Sequence, residues 1–124
     1  MKVLVYESSK DRAKLIKDLL RTYRYKVDVG YGTSDSLRQV QEFKPSLIII
    51  NINLRLHVEL LDKLKQHSRL SHIPVILISN HNSLEIVEKI SHLPNVDYLI
   101  EPFKIKNFRH IVERWINFRS LYVN

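Results

Sequence analysis

Polar residues follow directly on apolar runs at four places in this 124-residue chain. Glu7-Ser8-Ser9 follows Lys2–Tyr6, and Asn51-Ile52-Asn53 closes the run that begins at Leu47. Ser79-Asn80-His81 follows Val75–Ile78, and Glu101-Pro102-Phe103 follows Tyr98–Ile100. If the runs are parallel strands, these groups gather at one edge of a sheet, the edge at which doubly wound α/β proteins bind ligands. Three chemistries can be weighed there. A metal site would need His57 and His81 to join Glu7 and Glu101. However, no two of the six histidines (57, 67, 72, 81, 92, 110) have the i, i+4 spacing of a helical zinc site, and the chain has no cysteine. A nucleophilic triad would need a His–Asp pair behind Ser8 or Ser79, and no such spacing is readable. A phosphate-cradling loop would need clustered glycines, and the chain has only Gly30 and Gly32. The residue types therefore predict a protein that is not an enzyme and holds no metal or cofactor.

The elements that must position these groups alternate. Leu47–Ile52 is a continuous, largely β-branched run, which suits a parallel strand covered on both faces. Lys2–Tyr6, Val75–Ser79 and Tyr98–Ile100 read the same way, and Lys26–Gly30 is a weaker strand with Val27 and Val29 on one face. Helical spacing falls between them. Asp11–Tyr23 places Leu15, Ile16, Leu19, Leu20 and Tyr23 on one stripe, with Ser8 or Ser9 as cap. Ser34–Phe43 carries Leu37, Val40 and Phe43, and His57–Gln66 carries Leu60, Leu61 and Leu64. Asn82 and Glu85 resemble a capping box opening a fourth helix with Leu84, Val87 and Ile90. The last helix runs from Ile105 to about Phe118, with Phe108, Ile111, Val112, Trp115 and Ile116. Five strand–helix repeats predict one α/β domain over residues 1–124, with a parallel sheet, right-handed crossovers and helices on both faces.

The absence of cysteine suits a reducing compartment, so a cytoplasmic location is expected. No apolar run approaches the roughly 18 residues a membrane span requires. The net charge of +7 is unevenly placed. Residues 10–26 hold seven Lys/Arg against two Asp, and residues 101–124 hold five against two Glu, giving +5 and +3. The plain reading is two solvated helix faces; the sharper one is a basic surface for nucleic acid or an acidic protein.

Four segments, in this order, resemble the CheY-like receiver domain of two-component response regulators. They are Lys2-Val3-Leu4-Val5-Tyr6-Glu7-Ser8, Leu47-Ile48-Ile49-Ile50-Asn51, Ile73-Pro74-Val75-Ile76-Leu77-Ile78-Ser79, and Asp97-Tyr98-Leu99-Ile100-Glu101-Pro102-Phe103. The last matches the family's Asp-Tyr-x-x-Lys-Pro-Phe pattern except at Glu101. The resemblance implies a flavodoxin-like (βα)5 three-layer sandwich with strand order 2-1-3-4-5. It also implies a phosphorylation pocket: an acidic pair helping to hold Mg²⁺, an acceptor aspartate, a Ser/Thr, a lysine and a switch aromatic.

This sequence keeps only part of that set. Glu7 stands at the first acidic position, but Ser8 replaces the second. Asn51 stands at the acceptor position, and an amide offers no anionic oxygen to a phosphoryl donor. Ser79 keeps the hydroxyl, Glu101 replaces the lysine, and Tyr98 keeps the aromatic, read as packing on the last helix. The loop Asn53-Leu54-Arg55-Leu56-His57 is about two residues shorter than the family's and lacks its proline and glycine; Arg55 is a candidate partner for Glu7 or Glu101. The implied function is a pseudo-receiver that signals independently of phosphorylation by binding a protein partner or a second copy. By resemblance, the partner surface is the face of the fourth helix, fifth strand and fifth helix, carrying Leu84, Val87, Tyr98, Phe103, Arg109 and Trp115. The alternative is the receiver-like part of a transcription regulator, or a small nucleic-acid binder using the basic first and last helices.

Overall fold

A computed structural model describes residues 1–30, 36–52, 55–79, 88 and 92–123; side chains are described at none of 55–57 and 117–123. Its elements are β1 (Lys2–Tyr6), α1 (Lys10–Arg21), β2 (Lys26–Gly30), α2 (Ser36–Phe43), β3 (Leu47–Asn51), α3 (Arg55–Gln66), β4 (Val75–Ser79), β5 (Val96–Ile100) and α4 (Ile105–Val123). The strands form one parallel sheet in the order β2-β1-β3-β4-β5. This is the flavodoxin-like α/β order. The helix expected over residues 82–90, with Leu84, Val87 and Ile90, lies outside the described residues.

Strand alternation sorts the core into two layers, because successive side chains point to opposite faces. Leu4 and Tyr6 of β1, Ile48 and Ile50 of β3, and Val75 and Leu77 of β4 pack with Val40 of α2 and Leu60, Leu61 and Leu64 of α3. Val3 and Val5, Leu47 and Ile49, and Ile76 and Ile78 pack with Ile16, Leu19 and Leu20 of α1 and Phe108 and Val112 of α4. Every residue of β3 and β4 is buried, as unbroken apolar runs require. The first and last helices therefore share a sheet face, and Tyr23 Oη donates to Glu113 Oε1 at 2.9 Å between them.

Three expectations change. Leu15 is 50% exposed rather than part of the buried stripe. Successive helical residues are turned by about 100°, and the buried set Ala13, Ile16, Leu19 and Leu20 centres the core-facing stripe away from Leu15. Tyr98 packs in the α2/α3 layer, not on the last helix, because it alternates with Leu99, which faces α1 and α4. The last helix also runs on to Val123, past the expected end near Phe118.

Candidate functional site

Alternation carried past the strand ends explains which polar groups meet. Glu7 follows Val3 and Val5, Asn51 follows Leu47 and Ile49, and Glu101 follows Leu99, all in step with the α1 face. Ser79 follows Val75 and Leu77, in step with the opposite face. The β1–β3–β4–β5 register brings these ends level, with Asn51 beside Ile78 and Ser79 beside Ile100.

The three α1-face residues form a connected group. Asn51 Nδ2 donates to Glu101 Oε1 at 3.1 Å. Glu101 Oε2 lies 3.4 Å from a guanidinium nitrogen of Arg12. Glu7 Oε1 accepts the Ser9 backbone N–H at 2.9 Å. Ser9 caps α1, with extended backbone, and accepts from Arg12 N, so one turn delivers both the N–H to Glu7 and Arg12 to Glu101. Glu7 and Asn51 are fully buried, and Ser79 is buried too; Ser8 is exposed and turned out of the group.

Burial pushes the Glu7 carboxyl above its ordinary value, and the negative charge of Glu101 adds to this. The Ser9 N–H, the Asn51 amide and Arg12 act in the opposite sense but do not cancel it. Glu7 Oε2 and Asn51 Oδ1 are buried acceptors with no protein donor. Among the described residues, those two oxygens are the buried side-chain acceptors left open to a cation. Mg²⁺ prefers octahedral oxygen coordination with one or two carboxylates. Here Glu101 is committed to Asn51 and Arg12, residue 8 brings no carboxylate, and a guanidinium stands at the rim. The residues present do not fit Mg²⁺. Among the described residues no group of three or more His, Asp and Glu converges as a metal site; the side chain of His57 and the whole of His81 lie outside what is described.

Arg12 is the member that sequence reasoning missed. The candidate considered there, Arg55, has a side chain outside the described residues. The available signal was position: the first turn of α1 follows directly on Ser8-Ser9 and stands over the strand ends. Of the expected partner surface, Leu84 and Val87 are outside the described residues, and Arg109 is exposed. Phe103 and Trp115 are partly buried. Phe103 stacks on Phe108 with ring centroids 5.7 Å apart, and Trp115 Nε1 donates to Asp97 Oδ2 at 3.2 Å.

In an open parallel sheet of this order, a polar group outside the carboxyl ends of β1, β3 and β5 stands where doubly wound α/β folds bind ligands. Residues 3–113 match the family described as the response regulator receiver domain, and the chain belongs to it. Relatives include the "two-component response regulator-like APRR3" of Arabidopsis thaliana, 26% identical over 90% of this chain and 23% of that protein. Another is "histidine kinase P4" of Formosa agariphila, 29% identical over 98% of this chain and 9% of that one. The chain thus spans less than a quarter of the length of these two relatives. The signal receiver domain of a LuxO repressor protein from Vibrio parahaemolyticus superposes with a TM-score of 0.84 at 23% identity, covering 97% of this chain and 92% of that one. The chain is accordingly a receiver domain of two-component signalling. Among the described residues no helix is long and apolar enough to cross a membrane.

Proposed function

We propose that this receiver works without phosphorylation, as a pseudo-receiver that signals by binding another protein. Glu7, Ser8, Asn51, Ser79 and Glu101 are read as the remains of the phosphorylation pocket, with Tyr98 at the switch position. The observation that carries the reading is the Asn51–Glu101–Arg12 chain. Phosphoryl transfer depends on positioned charge neutralisation. At the acceptor position an amide replaces the anionic oxygen. At the position that should bring an ammonium, a carboxylate points back at the amide, so an incoming phosphoryl group meets Glu101 and Glu7, with Arg12, already paired to Glu101, as the cation at the rim. A partner can still select between conformations by binding one of them more tightly. Homodimerisation through Arg109 and its neighbours belongs to the same reading.

The test is intact-mass and NMR measurement with beryllofluoride and Mg²⁺. The expected result is no adduct and no shift at residues 7, 51 or 101; a saturable Mg²⁺-dependent shift there overturns the reading.

A second reading, nucleic-acid binding, has one observation in its favour. α1 and α4 pack on the same sheet face, which supports a reading in which the two basic segments act together. Such binding weakens steeply with salt, so the absence of any duplex-DNA shift at low ionic strength sinks it.

A further inference from the structure

Beside the buried polar group lies a groove of about 530 Å³ between α1 and the segment entering α4. Its walls are Leu15, Ile16 and Leu19 on one side and Phe103 and Ile105 on the other. Leu15 and Ile105, each 50% exposed, are the two most open large apolar side chains among the described residues. Among the described residues two polar ones reach the groove, Arg12 and Glu101, and they are the ion pair described above.

We propose that this groove binds a small amphiphilic carboxylate, with its head group on Arg12 and its apolar tail over Leu15 and Ile105. The volume lies within the roughly 300–1,000 Å³ of small-molecule sites, which are mostly apolar with a few placed polar groups. Arg12 is 44% exposed at its side chain, and its one ion-pair contact, at 3.4 Å, is longer than the roughly 2.7–2.9 Å of a tight charge-assisted bond. A guanidinium has five N–H donors, so Arg12 can grip a second carboxylate without releasing Glu101. The surrounding field has the same sign. Lys104 and Lys106 flank Ile105 and are exposed, and neither pairs with a carboxylate among the described residues. The charge of the face also argues against a second copy as occupant, because residues 10–26 carry +5 and residues 101–124 carry +3 on both partners. The proposal goes beyond the phosphorylation-independent reading and stands or falls without it.

The experiment is an NMR titration of the isotope-labelled full chain with decanoate and, separately, decanol, below their aggregation concentrations. Decanoate is expected to give saturable shifts at the amides of residues 12, 15, 19 and 105, and to bind roughly tenfold more tightly than decanol, the difference a charge-assisted contact gives. Arg12→Gln should remove that preference and leave decanol binding unchanged, which also shows that the variant is folded. Leu15→Asp should weaken both ligands. Equal binding of acid and alcohol overturns the proposal, as do shifts that never saturate or spread over the surface. An acidic peptide or a second copy of the chain occupying these amides where decanoate does not would overturn it as well.

Discussion

Asn51 and Glu101 are joined across the sheet edge by a 3.1 Å hydrogen bond from amide to carboxylate. The bond fixes the orientation of both side chains and assigns the Asn51 nitrogen, because only the nitrogen can donate to a carboxylate. The asparagine is therefore matched to the glutamate, and the two should be exchanged together or not at all. Asn51→Asp turns the bond into a contact between two carboxylates beside buried Glu7. A loss of about 2–3 kcal/mol at neutral pH is expected, the range for an uncompensated buried charge. Pairing it with Glu101→Lys should recover most of that. Urea denaturation of both variants checks this; equal losses in the single and double variants would show that the contact is unimportant.

Glu7 supplies a pH signature. Its folded pKa lies above the ordinary value of 4.5 because burial disfavours the anion. The unfolded chain thus gives up this proton at lower pH than the folded one. Stability from this group is fully present below about pH 4.5 and is lost as the pH rises through the folded value. Glu7→Gln cannot ionise, and its amide adds a donor where Glu7 Oε2 and Asn51 Oδ1 have none. The variant should match the wild type near pH 4 and exceed it at pH 8 by about 1–2 kcal/mol. Melting curves across that range decide the point, and a constant difference at every pH would contradict it.

Lys65 gives the opposite slope in a different window. Its ammonium, half-buried at the end of α3, donates to the carbonyls of Ser71 at 3.0 Å and Ile73 at 3.2 Å. Desolvation still pulls its pKa down from 10.5 to about 8. Between those values the unfolded chain holds more protons, so stability rises with pH there and is lost as pH falls through about 8. Lys65→Met should keep the packing of the stem, flatten that rise and loosen the turn over residues 67–73. Hydrogen exchange at Ser71 and Ile73, with denaturation between pH 7.5 and 10.5, reads both effects.

The strands were the most legible part of the molecule. Lys2–Tyr6, Lys26–Gly30 and Val75–Ser79 have the expected bounds; for Val75–Ser79, burial on both faces leaves few other ways to place five such residues. Helix stripes were legible to within one position on the wheel. The spacing of Leu15 and Ile16 suits one stripe, yet only Ile16 reaches the sheet, because packing against α4 fixes the rotation of α1 and local spacing does not. The strand-end polar groups were legible as a set, but their wiring was not. Arg12 meets Glu101 only because Ser9 starts α1 directly above β1 and β5 ends beneath it, a relation between segments some 90 residues apart. Tyr98 was misplaced for a simpler reason: a three-residue apolar run does not say which of its two faces meets which helix layer, and with Leu99 on the α1 and α4 face alternation puts Tyr98 on the other.

Tyr6 and Gly30 make the sharpest packing prediction. Tyr6 is fully buried at the end of β1, and its hydroxyl donates to the Ser36 carbonyl at 2.9 Å, which ties the start of α2 to the sheet. Gly30 is its parallel partner on β2. A Cβ at residue 30 would overlap the Tyr6 ring and lie 2.5 Å from Gln39 Oε1. Gln39 has a flexible side chain and can withdraw, but the ring cannot swing aside without breaking the bond to Ser36. Gly30→Ala is therefore expected to cost about 1–3 kcal/mol, the range for overpacking a close-packed core. Tyr6→Val costs stability on its own but removes the ring that the new methyl meets. In that background Gly30→Ala should cost well under half as much, a coupling that a double-mutant cycle in urea measures directly. If the alanine costs the same in both backgrounds, the ring is not what keeps residue 30 a glycine.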